Sequence, residues 1–236
     1  MAIDRAFEQD DSRPASRGRS KERTGVSTTW SNVAKRALDV VVSALALLIL
    51  AIPMILIAIA VRLTSPGPVL YRTSRLGQGL RPFTMLKFRS MYQDVDDGVH
   101  REYVSAMLTE GVEPGDPQAR YKLTNDERVT RIGTFLRRTS LDELPQLLNV
   151  LSGTMSLVGP RPPLQYEVDL YAARFRSRFA VKPGMTGLWQ VSGRSNLTMV
   201  QALELDEQYV RERSFGLDVS ILLRTIPVVL FGRGAS

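Results

Sequence analysis

The run VVVSALALLILAIPMILIAIAV, residues 40–61, decides the fold class of this chain. It holds 22 residues without a charge, bounded by Asp39 and Arg62. At about 1.5 Å per helical residue it is long enough to cross a hydrocarbon core of about 30 Å. A cleavable signal peptide fits poorly: a long mixed-charge segment precedes the run, the run exceeds a normal h-region, and no A-x-A-like site follows. Two features argue against a straight crossing. Pro53 sits mid-run, where it removes a helix hydrogen bond. Both flanks are basic, with Lys35 and Arg36 before the run and Arg62 after it. The positive-inside rule then keeps both ends on the cytoplasmic face. The reading is a re-entrant membrane helix over 35–62 that enters, bends at Pro53 and returns, with a spanning anchor as the alternative.

Working outward, residues 1–31 are rich in Ser, Arg, Asp and Glu with few large apolar side chains, the composition of a disordered cytoplasmic tail. Residues 32–236 read as one unit, the helix and then a part over 63–236 expected on the cytoplasmic side. The formal net charge of the 236 residues is +7, and its location is informative. Residues 1–31 carry 6 basic against 5 acidic side chains, and residues 94–236 carry 17 against 18. The excess lies over 62–93, where Arg62, Arg72, Arg75, Arg81, Lys87 and Arg89 stand without an acidic residue. A juxtamembrane block of this kind suits an anionic membrane surface or a phosphorylated substrate. It counts against a tethered nucleic-acid binder, whose basic surface would not be confined there, so no nucleic-acid partner is expected.

With no cysteine and one histidine, His100, the chain has no disulfide framework, no thiolate zinc site and no cysteine nucleophile. His100 follows Asp94, Asp96 and Asp97 in a polar stretch and reads as a solvated surface residue. Chemistry must rest on carboxylates, basic residues, hydroxyls or a hard metal. The fold class expected is α+β, mainly helical. Short extended segments over 69–72 and 83–88 flank a turn at Gly77 and Gly79. Residues 111–120 read as a surface loop, and helical patterns follow at 128–138 and from 141. Arg174, Phe175, Arg176, Arg178 and Phe179 read equally as a solvated helix face or an amphipathic element at the membrane surface. Residues 219–231 are too short for a second span and should pack on the domain or lie in the interface. Trp189 and its neighbouring glycines read as a loop near a nucleotide or as a tight turn with a core tryptophan.

The segment from 141 carries the chemistry. Leu141, Leu144, Leu147, Leu148 and Leu151 recur at helical spacing and define a buried face. Ser140 and Glu143 form an S-x-x-E capping pattern, and Pro145 is tolerable within a first turn. Asp142 and Glu143 would then lie at a helix start, which favours their ionised forms. Ordinary capping explains an isolated Asp-Glu pair, but here Arg137 and Arg138 precede it, and the rigid Gly159-Pro160-Arg161-Pro162-Pro163 turn follows. Arginine's planar fork suits phosphate oxygens. Carboxylates between such arginines point to phosphoryl transfer, one oxygen attacking phosphorus while a divalent metal screens charge.

These motifs, in this order, resemble the bacterial sugar transferases, also called polyprenyl-phosphate hexose-1-phosphate transferases or small monotopic phosphoglycosyl transferases. The resemblance runs from Lys35 to about Arg233. It rests on Lys35-Arg36-x-x-Asp39, Lys87-Phe88-Arg89-Ser90-Met91 and Thr139-Ser140-Leu141-Asp142-Glu143-Leu144-Pro145-Gln146-Leu147. It continues through Asn149-Val150-Leu151-Ser152-Gly153, Met155-Ser156-Leu157-Val158-Gly159-Pro160-Arg161-Pro162, the stretch from Lys182 to Arg194, and Glu204-Leu205-Asp206.

The resemblance implies an enzyme of the bacterial inner membrane, its catalytic part on the cytoplasmic face. It would move a hexose 1-phosphate from a UDP-sugar to undecaprenyl phosphate, release UMP and so initiate a surface polysaccharide. Asp142 matches the family's nucleophile and Glu143 the neighbouring carboxylate, the two together holding magnesium. Lys87, Arg89, Arg137, Arg161, Arg194 and Asp206 match substrate-binding positions. The stretch 187–194 is similar to the galactose and glucose branch, and a homodimer is compatible with this reading. Two departures stand out: Ile52-Pro53 where many members have Ser-Pro, and Glu127 where proline is common. A non-catalytic scaffold of polysaccharide assembly is the alternative, against which the intact Asp142, Glu143 and Arg161 argue.

Overall fold

A computed structural model of the chain describes residues 26–92, 128–171, 173–193 and 197–230. The expected tail over 1–31 falls mostly outside these residues, as do His100 and the loop over 111–120. The apolar run lies within one helix, α1 (Val26–Thr64), long and apolar enough to cross a membrane. The helix passes through Pro53 rather than breaking there. Proline withdraws only the donor to the Ile49 carbonyl and leaves the neighbouring rungs of the ladder.

What α1 does with its faces matters more than its length. Val42, Ala46, Leu47 and Leu50 pack on the main core, while Met54, Ile57, Ala58 and Val61 pack on a second cluster with Phe88 and Leu136. Both halves therefore dock on the same body. The opposite stripe, with Val41, Leu45, Leu48, Ile52, Ile55, Ile59 and Leu63 at helical spacing, is exposed.

After α1 the chain forms an antiparallel hairpin of β1 (Leu70–Leu76) and β2 (Pro82–Phe88), with Thr73 opposite Met85. Its turn uses Gly79 at φ 66°, a conformation glycine takes without strain. These are the two extended segments expected around Gly77 and Gly79. α2 (Arg131–Thr139) follows, with Gly133 so close to the hairpin's exit that a Cβ there would lie 1.9 Å from the Ser90 carbonyl oxygen.

The region from 141 departs from expectation. Ser140 does not cap a helix; it takes the left-handed conformation, φ 58°, and ends α2. Leu141–Glu143 is a 3₁₀ turn, and α3 (Gln146–Ser152) starts only after Pro145. Ser140 in the left-handed region breaks the ladder, and Pro145 has no N–H to return to the Leu141 carbonyl, so the turn between them closes as 3₁₀. The chain instead closes i to i+3 bonds, from Leu144 N to Leu141 O and from Leu147 N to Leu144 O. The buried face shifts accordingly: Leu147 and Val150 are buried, whereas Leu148 is 43% exposed.

β3 (Ser156–Val158) pairs in parallel with β4 (Gly184–Thr186). Between them lie α4 (Gln165–Asp169) and a 3₁₀ segment, Ala173–Ala180. Then come α5 (Leu188–Ser192), α6 (Met199–Glu212), which carries a full capping box from Thr198 and Gln201, and α7 (Phe215–Leu230). α7 packs on the domain through buried Ile221, as expected for 219–231, and exposes Leu223, Ile226 and Val229. Met85, Leu147, Val150, Met155, Leu157, Val158, Tyr209 and Ile221 form the main core. A fully buried aliphatic side chain there contributes roughly 1.5 to 3 kcal/mol.

Directional contacts set where α1 sits. Arg36 donates to the carbonyls of Val150 and Leu151 at 2.7 and 2.8 Å, at the C-terminal end of α3, where a cation is favoured. Asp39, buried, accepts from Ser156 Oγ at 3.1 Å and Leu157 N at 3.0 Å. Removing that acceptor orphans a buried N–H, which costs about 1 to 3 kcal/mol. Asp39→Ala should therefore lower the thermal unfolding midpoint of the detergent-held protein. An unchanged midpoint would mean these bonds do not anchor α1.

Candidate active site

The 3₁₀ turn after α2 presents the Asp-Glu pair against β2. Asp142 is 7% exposed. Glu143 Oε1 accepts from Lys87 Nζ at 2.8 Å, with both side chains partly open to solvent. Strand alternation on β2 separates neighbours: Phe88 enters the core while Lys87, on the opposite face, reaches Glu143. Arg137 lies half-buried in the last turn of α2 and so shares this end of the molecule.

Arg161 belongs to a second constellation. Its Nη1 donates to Glu167 Oε1 and Oε2 at 3.3 and 3.0 Å, and Glu167 is fully buried. Arg75 Nη1 lies 3.9 Å from the same carboxylate, and Tyr171 donates its hydroxyl to Glu167 at 3.3 Å. The Arg161 carbonyl accepts from Arg178 Nη2 at 2.7 Å, and the same nitrogen lies 2.6 Å from Asp206 Oδ2. Arg161, Arg178 and Asp206 line one recess with Tyr171 and Trp189, about 230 Å³ counting its open mouth.

Asp206 is buried. That burial pushes its carboxyl up to about 6, against the opposing pull of the Arg178 and Arg161 charges. Burial likewise raises the Tyr171 hydroxyl and keeps it a donor.

Arg89 stands apart from both groups. Its Nη2 donates to Ser65 O at 2.6 Å, to Ser65 Oγ at 2.8 Å and to Val61 O at 3.4 Å, at the C-terminal end of α1. A cation suits that end of a helix. Burial, with the nearby Arg62 charge, lowers its pKa. Arg194 lies outside the described residues.

Arg178 corrects the reading of residues 174–179 as a solvated or membrane-surface face. Phe175, Arg178 and Phe179 are buried, and the guanidinium lies 5.3 Å from the Tyr171 ring centre and 5.8 Å from that of Phe179. The signal was present in the spacing, since residues 175, 178 and 179 share one helical face. What that spacing lacked was the identity of the buried counter-charge, Asp206. Trp189, buried in the short helix α5 rather than in a loop, lines the recess.

The arrangement comprises a Glu143 carboxylate paired with Lys87 beside the buried Asp142, an arginine-lined recess and a helix long and apolar enough to cross a membrane. The match to the bacterial sugar transferase description covers residues 30–232, and the chain belongs to that family. It is 38% identical to the exopolysaccharide production protein ExoY of Rhizobium meliloti (strain 1021), over 91% of this chain and 93% of that one. It is 44% identical to a UDP-galactose-lipid carrier transferase of Erwinia amylovora, over 87% of this chain and 42% of the relative. It is 41% identical to a UDP-glucose:undecaprenyl-phosphate glucose-1-phosphate transferase of Caulobacter vibrioides (strain ATCC 19089 / CIP 103742 / CB 15), over 84% and 70%. The chain therefore spans less than half the length of some relatives and nearly all of another.

The raised Asp206 carboxyl has a pH signature. The folded state holds its proton more tightly than the unfolded chain, so its stabilising contribution is full below pH 3.8 and is lost as pH rises through about 6. Unfolding midpoints of wild type and Asp206→Asn, measured across this range, should differ in slope. The wild type declines relative to the variant and the two run parallel above the window; parallel curves throughout would remove the assignment.

Proposed function

We propose that this chain transfers a hexose 1-phosphate from a UDP-sugar to undecaprenyl phosphate at the cytoplasmic face of the inner membrane, beginning the assembly of an exported polysaccharide. The observation that carries this reading is the buried Asp142 beside a Glu143 that Lys87 holds at 2.8 Å, in a chain of this family. The names of the Erwinia and Caulobacter relatives support the donor and acceptor classes.

In the mechanism proposed, an Asp142 carboxylate oxygen attacks the phosphorus that bears the sugar. A P–O bond forms, the bond from that phosphorus to the oxygen bridging the two phosphates breaks, and UMP leaves with the electron pair. An oxygen of the lipid phosphate then attacks the same phosphorus, and Asp142 departs as a carboxylate. Lys87 neutralises Glu143 and keeps two adjacent carboxylates compatible with an incoming diphosphate. Arg161, held through Glu167, supplies a fork for phosphate oxygens.

Magnesium fits these residues. Mg²⁺ commonly takes one or two protein carboxylates and fills its remaining positions with water and substrate phosphates. Asp142 and Glu143 provide such a pair, and among the described residues no cluster of three or more ligand-type side chains forms a closed cage. Bound there, the ion would screen diphosphate charge as the Asp142 carboxylate approaches.

The seating of α1 supports a same-face topology, because both halves dock on one body while the outer stripe is apolar. The absence of cysteine makes this directly measurable. Single cysteines replacing Asn32 and Thr64 should both be shielded from an impermeant maleimide added to intact cells and both react after permeabilisation. Labelling of one alone in intact cells would establish a crossing helix.

The reaction is tested by UMP release from the nanodisc-held protein with magnesium, undecaprenyl phosphate and a panel of UDP-sugars. Release with one hexose, ping-pong kinetics and complete loss in Asp142→Asn are the expected outcomes. Ternary-complex kinetics, or turnover that survives Asp142→Asn, would overturn the nucleophile assignment.

A further inference from the structure

The turn that carries Arg161 is pinned along its backbone. Gly159 N donates to Thr186 O at 2.9 Å, Pro160 O accepts from Gly184 N at 2.9 Å, and Pro163 O accepts from Leu76 N at 3.0 Å. Arg178 holds the Arg161 carbonyl and Arg75 Nη1 the Pro162 carbonyl at 3.3 Å. A Cβ on Gly184 would lie 2.1 Å from Gly159 N, so β3 and β4 meet here backbone to backbone. The first carbonyl of the turn, Val158 O, is held differently. It accepts from Lys35 Nζ of α1 at 3.1 Å, and the Tyr209 hydroxyl of α6 lies 3.2 Å away.

Asp218 of α7 ties those two groups together. Its Oδ2 is 2.8 Å from Lys35 Nζ and its Oδ1 is 2.7 Å from the Tyr209 hydroxyl. A hydroxyl has one proton, and the shorter contact to Asp218 takes it, which leaves Lys35 as the donor to Val158 O. Asp218 and Tyr209 are buried. One carboxylate thus joins the helix on which membrane seating depends, two helices of the body and the root of the Arg161 turn.

We propose that Asp218, Lys35 and Tyr209 are positioning residues that couple the docking of α1 to the aim of Arg161, so that binding of a substrate phosphate at Arg161 depends on α1 being seated. This rests on the reading of Arg161 as a phosphate-binding residue. None of the three touches the reacting atoms; they act through the Val158 carbonyl. The soluble donor is then bound productively only by protein whose apolar helix is already in place beside the lipid acceptor.

The test uses the full chain in nanodiscs containing phosphatidylglycerol, with two readouts. Amide hydrogen exchange over residues 156–163 should accelerate by about tenfold in Lys35→Met and in Asp218→Asn, while the amides of the β1–β2 hairpin other than Leu76, which is bonded to Pro163 O, are unchanged. Lys35→Arg, which retains two donors, should restore slow exchange. Lys35→Met should lower kcat/KM for the UDP-sugar by about tenfold, chiefly through KM, but by much less in an Arg161→Lys background, because residues in one network do not act additively. Unchanged exchange over 156–163, or losses that simply add, would overturn the coupling. Wild-type protein that transfers nothing would sink the functional reading, and the exchange measurement would still decide the clamp.

Discussion

Within little more than one turn of a single helix, Lys35, Arg36 and Asp39 hold this molecule in register. Hydrophobic contact is non-directional, so the apolar inner stripe of α1 makes docking favourable without saying where along the body it docks. Three charged groups resolve that freedom because each meets a backbone group that needs it. Asp39 takes an otherwise orphaned N–H of β3, Arg36 takes two carbonyls at the end of α3, and Lys35 takes the first carbonyl of the Arg161 turn. Burying charge beside a membrane helix is costly unless it is satisfied in this way. The cost of the wrong register is what makes the right one unique.

The basic block over 62–93 has a similar logic. Its charges suggest an outward field, yet most of them are engaged internally. Arg62 caps the Gly67 carbonyl, Arg75 bonds the Pro162 carbonyl near Glu167, Lys87 holds Glu143, and Arg89 closes the end of α1. Arg72 and Arg81 remain on the surface. Placing cations from the hairpin on acids and carbonyls of later segments ties the hairpin to the rest of the fold.

The two acidic positions show how environment separates equal chemistries. Glu143 shares solvent with its lysine. Asp206 lies fully within the fold, where desolvation outweighs two nearby arginines and moves its titration to about 6. Glu143, partly exposed beside Lys87, and Asp206, buried against Arg178, thus sit on the same chain in opposite environments.

Much of this was legible from residue order. The apolar run and the two extended segments around Gly77 and Gly79 follow from composition and periodicity, because those signals are local. The start of α3 is not local in this way: S-x-x-E and Pro145 satisfy the grammar of a helix start, while the left-handed Ser140 together with the missing proline N–H leaves a 3₁₀ turn there. Arg178 was misread for a different reason: arginines among phenylalanines look amphipathic until a carboxylate 28 positions away is folded against one of them. Sequence by itself determined which segments are apolar and which are turns, because both are local properties of composition. Only tertiary structure decided that both halves of α1 rest on one body, that Arg89 serves the helix end rather than the carboxylate pair, and that Asp218 joins α1 to the Arg161 turn. Those outcomes depend on contacts between segments far apart in the chain, which local pattern does not encode.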